Sequence, residues 1–213
     1  MPDGYKAPVP TLERLATYLT VLTGFKSKGV DTVSSIDIEQ HAGVNAAQVR
    51  KDLSLFGGFG KTGVGYNVTA LHEHISKILK LEHTQRVLLV GAGNLGSALA
   101  GYPALRTENF KIVAVFDNNP RKIGSEIWGI SIKDIASLVD ENRSLGAKIG
   151  IIAVPASWAQ QTAERLVEAG VLNILNFAPV VLRLPEGVTV RNVDFVQELA
   201  VLSYHIRSES EPG

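Results

Sequence analysis

The chain has 213 residues, 45% of them hydrophobic and 20% charged, which suits a water-soluble protein with two modest domains and excludes a disordered or fibrous class. No apolar run reaches the roughly 18 residues that a bilayer span needs, and Met1-Pro2-Asp3-Gly4-Tyr5-Lys6 has no signal-peptide core, so a cytoplasmic location without membrane contact is expected. The absence of cysteine excludes disulfides, thiolate metal sites and thiol redox sensing, and a net charge of zero means that any DNA binding must come from the placement of charge.

After a polar start containing Pro8 and Pro10, Thr11 is placed to cap a first helix whose apolar residues Leu12, Leu15, Ala16, Leu19, Leu22 and Phe25 share a face and which ends near Gly29. Ser34 and Asp37 have capping-box spacing for a short second helix that Gly43 stops. Asn45, with Gln48 three residues on, marks the start of a third helix through Leu55 or Phe56. The glycine-rich run from Gly57 to Val68 suits a small hairpin, and a fourth helix follows over 71–81. This order is that of a winged helix-turn-helix, with a core of Leu15, Leu19, Leu22, Ile36, Ile38, Val49, Leu53, Phe56, Val68, Leu71 and Ile75.

On the third helix, Gln48, Arg50, Lys51 and Ser54 are polar while Val49, Leu53 and Phe56 point inward. Arginine and lysine beside glutamine and serine are the groups that read guanine edges and grip phosphates of double-stranded DNA. Lys61 adds a cation at the hairpin tip, beside Thr62 and Gly63. An ordinary solvated helix face is the competing reading.

From Gln85 the texture changes to alternating strands and helices, with strands expected at 86–90, 111–116, 149–154, 173–177 and 188–192 and helices between them. Val87-Leu88-Leu89-Val90 leads into Gly91-Ala92-Gly93-Asn94-Leu95-Gly96, the glycine turn of a dinucleotide-binding βαβ unit. Gly91 permits the tight turn, Gly93 lets backbone approach a pyrophosphate, and Gly96 allows close helix packing. Asp117 ends the next strand about twenty residues later, where the fingerprint places an acceptor for the ribose diol. NAD(H) is therefore favoured over NADP(H), although Arg121 and Lys122 leave the second open. Val154 and Pro155, after the third strand, and 176–179, after the fourth, lie where such sheets bind ligands.

A small NAD-dependent dehydrogenase is the rival function. Hydride transfer needs a proton donor beside the nicotinamide, yet only His205 of five histidines follows the glycine turn, and no residues remain for a substrate domain. An accessory CoA- or nucleotide-binding domain would leave Arg50 and Lys51 unexplained. In the last helix Phe195, Leu199, Leu202 and Ile206 form an apolar stripe that Val196, Ala200 and Val201 widen, so cover is needed on more than one side, from its own subunit or a partner.

Together, Gln48-Val49-Arg50-Lys51-Asp52-Leu53-Ser54, Phe56-Gly57, Gly63-Val64-Gly65-Tyr66, the glycine turn, Asn176-Phe177-Ala178-Pro179 and Asn192-Val193-Asp194-Phe195 resemble the bacterial redox-sensing repressor family Rex. The resemblance runs from about residue 8 to 207. It implies an α/β chain with a winged-helix DNA-binding domain (1–84), a Rossmann-like parallel-sheet domain for NADH and NAD⁺ (85–193) and a C-terminal helix swapped between subunits (194–213). It further implies a homodimer, without metal, that binds palindromic operators and leaves them when NADH rises. Arg50 and Lys51 then match the major-groove readers, Lys61 and Thr62 lie in the wing, and Tyr102 and Phe195 line the nicotinamide site. Thr20 stands where some members carry an Arg able to pair with the residue at Asp194, and Thr62 where some carry a basic residue, so the resemblance leaves the interdomain pair and the strength of the wing contacts open here.

Overall fold

The computed structural model describes residues 7–57, 64–106 and 109–206, in two units, 1–83 and 84–213. In the first unit α1 spans Val9–Ser27, starting ahead of the predicted cap. Pro8 takes the N-cap position and Pro10 lies in the first turn, where a missing N–H leaves no helix bond unmade. Thr11 is instead buried inside the helix, its hydroxyl accepting from Arg14 Nη2 at 3.2 Å.

The strand β1 (Thr32–Val33) precedes α2 (Ser35–Ala42), and the predicted capping box is formed: Ser34 Oγ accepts from Asp37 N at 3.2 Å and Ser34 N donates to Asp37 Oδ2 at 2.7 Å. Gly43 ends the helix in the left-handed region at φ +65°. Three residues later α3 (Ala46–Ser54) begins, with Asn45 Oδ1 accepting from Gln48 N at 2.8 Å. The Gln48 side chain does not return to this cap; it bonds Asp52 at 2.8 Å.

The strand β2 (Tyr66–Asn67) pairs antiparallel with β1, matching Thr32 with Asn67 and Val33 with Tyr66. Gly65, at φ +89°, permits this approach, since a Cβ there would lie 2.7 Å from Val33 O. The tip of the predicted hairpin, with Lys61, Thr62 and Gly63, lies outside the described residues. The helix α4 (Val68–Ile78) starts three residues before the predicted Leu71, because Asn67 caps it through Ala70 N at 2.9 Å. The predicted core is buried except for Ile36, which is 57% exposed. It sits two residues from buried Ile38, and that separation is about 200° around a helix. Tyr18 and Val33 join the core instead.

The second unit holds β3 (Gln85–Val90), α5 (Asn94–Gly101), β4 (Phe110–Asp117), β5 (Glu126–Ile127), β6 (Ile130–Asp134), α6 (Leu138–Leu145), β7 (Ile149–Ile152), α7 (Ala156–Glu168), β8 (Asn173–Asn176), β9 (Thr189–Asn192) and α8 (Phe195–Tyr204). Its seven strands run in the order β5-β6-β4-β3-β7-β8-β9, parallel except where β5 meets β6. Along β3, Leu88 and Val90 pack with Leu138 of α6 and Leu166 of α7, while Val87 and Leu89 pack with Ala100 of α5, so both faces of the sheet are covered. The β5–β6 hairpin was not predicted, and 177–188 joins β8 to β9 without the expected helix. In that link, buried Asn176 Nδ2 lies 3.0 Å from Ala178 O, 3.1 Å from Val180 O and 2.9 Å from Asn192 Oδ1. Asp194 Oδ1 caps α8 through Val196 N and Gln197 N, and Phe195, Val196, Leu199, Leu202 and Ile206 all stand exposed.

Candidate functional site

At the end of β3 the three glycines do different work. Gly91, at φ +106°, donates to Phe116 O at 2.7 Å, and a Cβ on it would lie 2.3 Å from Ala153 O. A Cβ on buried Gly96 would lie 1.8 Å from Gly91 O, so helix and turn touch there. Gly93 differs: it is the N-cap of α5 at φ −81°, and a Cβ on it would meet nothing within 4 Å. The chain itself therefore does not require glycine at 93, and the space in front of it is open. No side chain caps α5, which leaves its first amides and the positive end of its dipole facing that space. Asn94 and Leu95 are exposed on its first turn, and Ala92 is buried behind them.

Asp117, 7% exposed at the end of β4, is tied to this turn. Its Oδ2 accepts from Ala92 N at 2.7 Å and pairs with Lys122 Nζ at 3.3 Å, while Oδ1 accepts from Asn119 N at 2.8 Å. Burial alone would raise its pKa, but the amides of Ala92 and Asn119 and the Lys122 ammonium outweigh it and hold the carboxyl below its ordinary value. Three of about four lone-pair sites are thus engaged, leaving one acceptor direction open. Lys122, open in the sequence reading as a phosphate ligand, is paired with this carboxylate.

A cleft of about 410 Å³ opens over Gly91 and Gly93 at the carboxyl ends of β3, β4 and β7. The chain leaves β3 toward β4 on one side and returns at β7 on the other, so this is the switch point where open α/β sheets bind ligands. Its volume is within the range for small-molecule and cofactor sites. Of the predicted residues, Gly91, Gly93, Asp117, Val154 and Pro155 line it. Tyr102 and Phe195 are not among the lining residues: Tyr102 ends α5, 56% exposed, and Phe195 is 60% exposed with its ring 6.3 Å from that of Phe177. The sequence reading missed Asn118, Asn119 and Ile135 and the α7 stripe of Trp158, Gln161, Thr162 and Arg165. The i, i+3, i+4, i+7 spacing of that stripe was a legible signal.

In the first unit α2, a short turn and α3 form a helix-turn-helix. Arg50, Lys51 and Ser54 are exposed on α3; Arg50 Nη1 donates to Ser35 Oγ at 2.8 Å and Ser54 Oγ to Lys51 O at 2.7 Å. Gln48 is half-buried, its amide engaged with Asp52. Asp52, 1% exposed, accepts from Arg14 Nε at 2.6 Å, Arg14 Nη2 at 2.7 Å and Tyr18 Oη at 2.9 Å. Burial opposes its charge, but these donors and Gln48 prevail and lower its pKa, while burial and Asp52 raise that of Tyr18. The network fixes α3 on α1 and presents Arg50 and Lys51 outward. Nothing in the sequence reading singled out Arg14, Tyr18 or Asp52 for this. Thr20 is exposed on α1 and bonds Ala16 O at 3.2 Å.

Residues 82–180 match the family described as CoA binding domain, and residues 6–54 match "Putative DNA-binding protein N-terminus". The redox-sensing transcriptional repressor Rex of Carboxydothermus hydrogenoformans is 51% identical over 97% of this chain and 99% of its own length. That of Desulfitobacterium hafniense is 48% identical over 94% and 96%. Among solved structures, the Rex-family repressor RSP, crystallised with NAD⁺ and operator DNA, is 37% identical with a TM-score of 0.88 over 94% of this chain and 92% of that one. The same repressor with NADH gives 0.83 over 94% of each. A glycine turn with open space before an uncapped helix, a helix-turn-helix with outward cations, and this identity along nearly the whole length make the chain a member of the Rex family of redox-sensing transcriptional repressors.

Proposed function

We propose that this chain is a homodimeric repressor that binds palindromic operator DNA and releases it on binding NADH. The observation that carries this reading is the open space at Gly93, before an uncapped helix, in the same chain as the helix-turn-helix. The relatives and RSP complexes support it by what they bind. Residues 1–84 would hold the DNA, residues 85–193 the nucleotide and residues 194–213 the partner subunit.

Gly91 and Gly96 shape the turn, Gly93 and the amides of Asn94 and Leu95 receive the diphosphate, and the remaining acceptor direction of Asp117 receives the adenosine ribose. A bound nicotinamide supplies the signal, being neutral when reduced and positively charged when oxidised. Phe195, Phe177 and Tyr102 supply an apolar surface on which the charged ring is costly to desolvate. On the DNA side, Arg50 and Lys51 enter the major groove and Ser54, Lys61, Thr62 and Gly63 contact the backbone, with Gln48 chiefly holding Asp52. Two such modules read half-sites about one helical turn apart, which requires a dimer. The exposed apolar face of α8 supports that dimer, since it needs cover that its own unit does not give.

Repression is lost when the nucleotide favours an arrangement of the paired modules that misfits the half-site spacing. Inverting occupancy from 1:99 to 99:1 takes a preference of about 5.5 kcal/mol. The chain so works in the compartment holding the chromosome, as a switch without turnover. Titrating NADH and NAD⁺ into the protein bound to a selected palindromic duplex tests this: release by NADH alone supports it, and indifference to both, or turnover of a carbonyl substrate, removes it.

A further inference from the structure

Trp158 is half exposed on the first turns of α7, facing the cleft, and no described residue makes a ring or cation contact with it. The other tryptophan is engaged: Trp128 Nε1 donates to Ser97 O at 3.2 Å and its ring lies under Arg106. A large flat apolar surface left open inside a binding cleft suits a flat ligand group. The same cleft is lined by Asn118 and Asn119, which directly follow Asp117, and by Ile135. Resting on the proposed nucleotide reading, a ribose held at Asp117 leaves its base in the cleft that Trp158 also lines.

We propose that Trp158 is the stacking platform for the purine base of the nucleotide, with Ile135 as a second apolar surface and Gln161 available to its polar edge. The contact belongs to the adenosine half, so it is shared by NADH, NAD⁺ and ADP and is blind to redox state. It sets how strongly the adenine nucleotide pool competes for the site.

The test uses the full-length protein with ADP, NADH and NAD⁺ as probes, by calorimetry and tryptophan emission. Trp158→Ala is expected to weaken all three by one common factor, about 5- to 150-fold for loss of a base-stacking contact, while Trp158→Phe stays close to wild type. In Trp128→Phe, where Trp158 is the only remaining indole, saturating ADP is expected to quench emission. ADP binding with unchanged emission, unaltered affinities in Trp158→Ala, or a loss confined to NADH would each overturn the assignment and leave the nucleotide site standing. Failure of the wild-type protein to bind either NADH or ADP would remove the site itself.

Discussion

Gly93→Ala separates what the fold needs from what the ligand needs. The new methyl group would meet no atom within 4 Å, and φ −81° is comfortable for alanine. The expected loss of stability is the N-cap preference alone, about 1 kcal/mol, or about 2–4 °C in a chain of this size. Gly91→Ala is different in kind, because φ +106° disfavours any side chain and the methyl would lie 2.3 Å from Ala153 O, on the neighbouring β7 side. The conformation alone costs about 1–3 kcal/mol, and the overlap forces backbone apart at the centre of the sheet. Both tryptophans lie in the second unit, so thermal unfolding followed by their emission reports on it. Calorimetry with NADH is expected to show a loss of at least tenfold, about 1.4 kcal/mol, for Gly93→Ala, because its methyl occupies the approach to the α5 amides. Wild-type NADH affinity in that folded variant would refute the placement of the diphosphate.

Arg14→Met removes the guanidinium from buried Asp52, which is expected to cost about 3–5 kcal/mol, toward the lower end because Arg14 is itself 26% exposed; hydrogen exchange of α1 and α3 measures it. Since the folded pKa of Asp52 is depressed, this stabilisation is complete above its ordinary value of 3.8 and is lost as pH falls below that through the folded value, so circular dichroism should show acid loss of helix below about pH 4. Arg50→Ala is expected to lose about 1–3 kcal/mol at one operator base pair, and a uniform loss over operator variants would assign the residue to phosphate. Phe195→Ala should narrow the ratio of NADH to NAD⁺ affinity, measured by calorimetry; an unchanged ratio removes it from the nicotinamide surface. Leu199→Glu places a charge on the exposed apolar face of α8 and is expected to give monomers by sedimentation, with operator affinity falling alongside.

Local rules of the sequence determined the helix-turn-helix, because Ser34, Asp37, Gly43 and Asn45 act over three or four residues, and the strands β3, β4, β7, β8 and β9, because short runs rich in Val, Ile and Leu identify themselves. They also located the glycine turn and Asp117, whose spacing is itself the signal. Tertiary structure decided the rest. Thr11 is inside α1 because two prolines start it earlier, Gln48 is drawn toward Asp52 rather than left on the exposed face of α3, and the Arg14–Tyr18–Asp52 network joins residues 34 and 38 positions apart. Trp158 reaches the cleft only because β7 lies beside β3, a pairing between segments some sixty residues apart that no local pattern encodes. Short-range hydrogen bonding is written in neighbouring residues, whereas the partners of a buried carboxylate or an open cleft wall exist only once distant segments have packed.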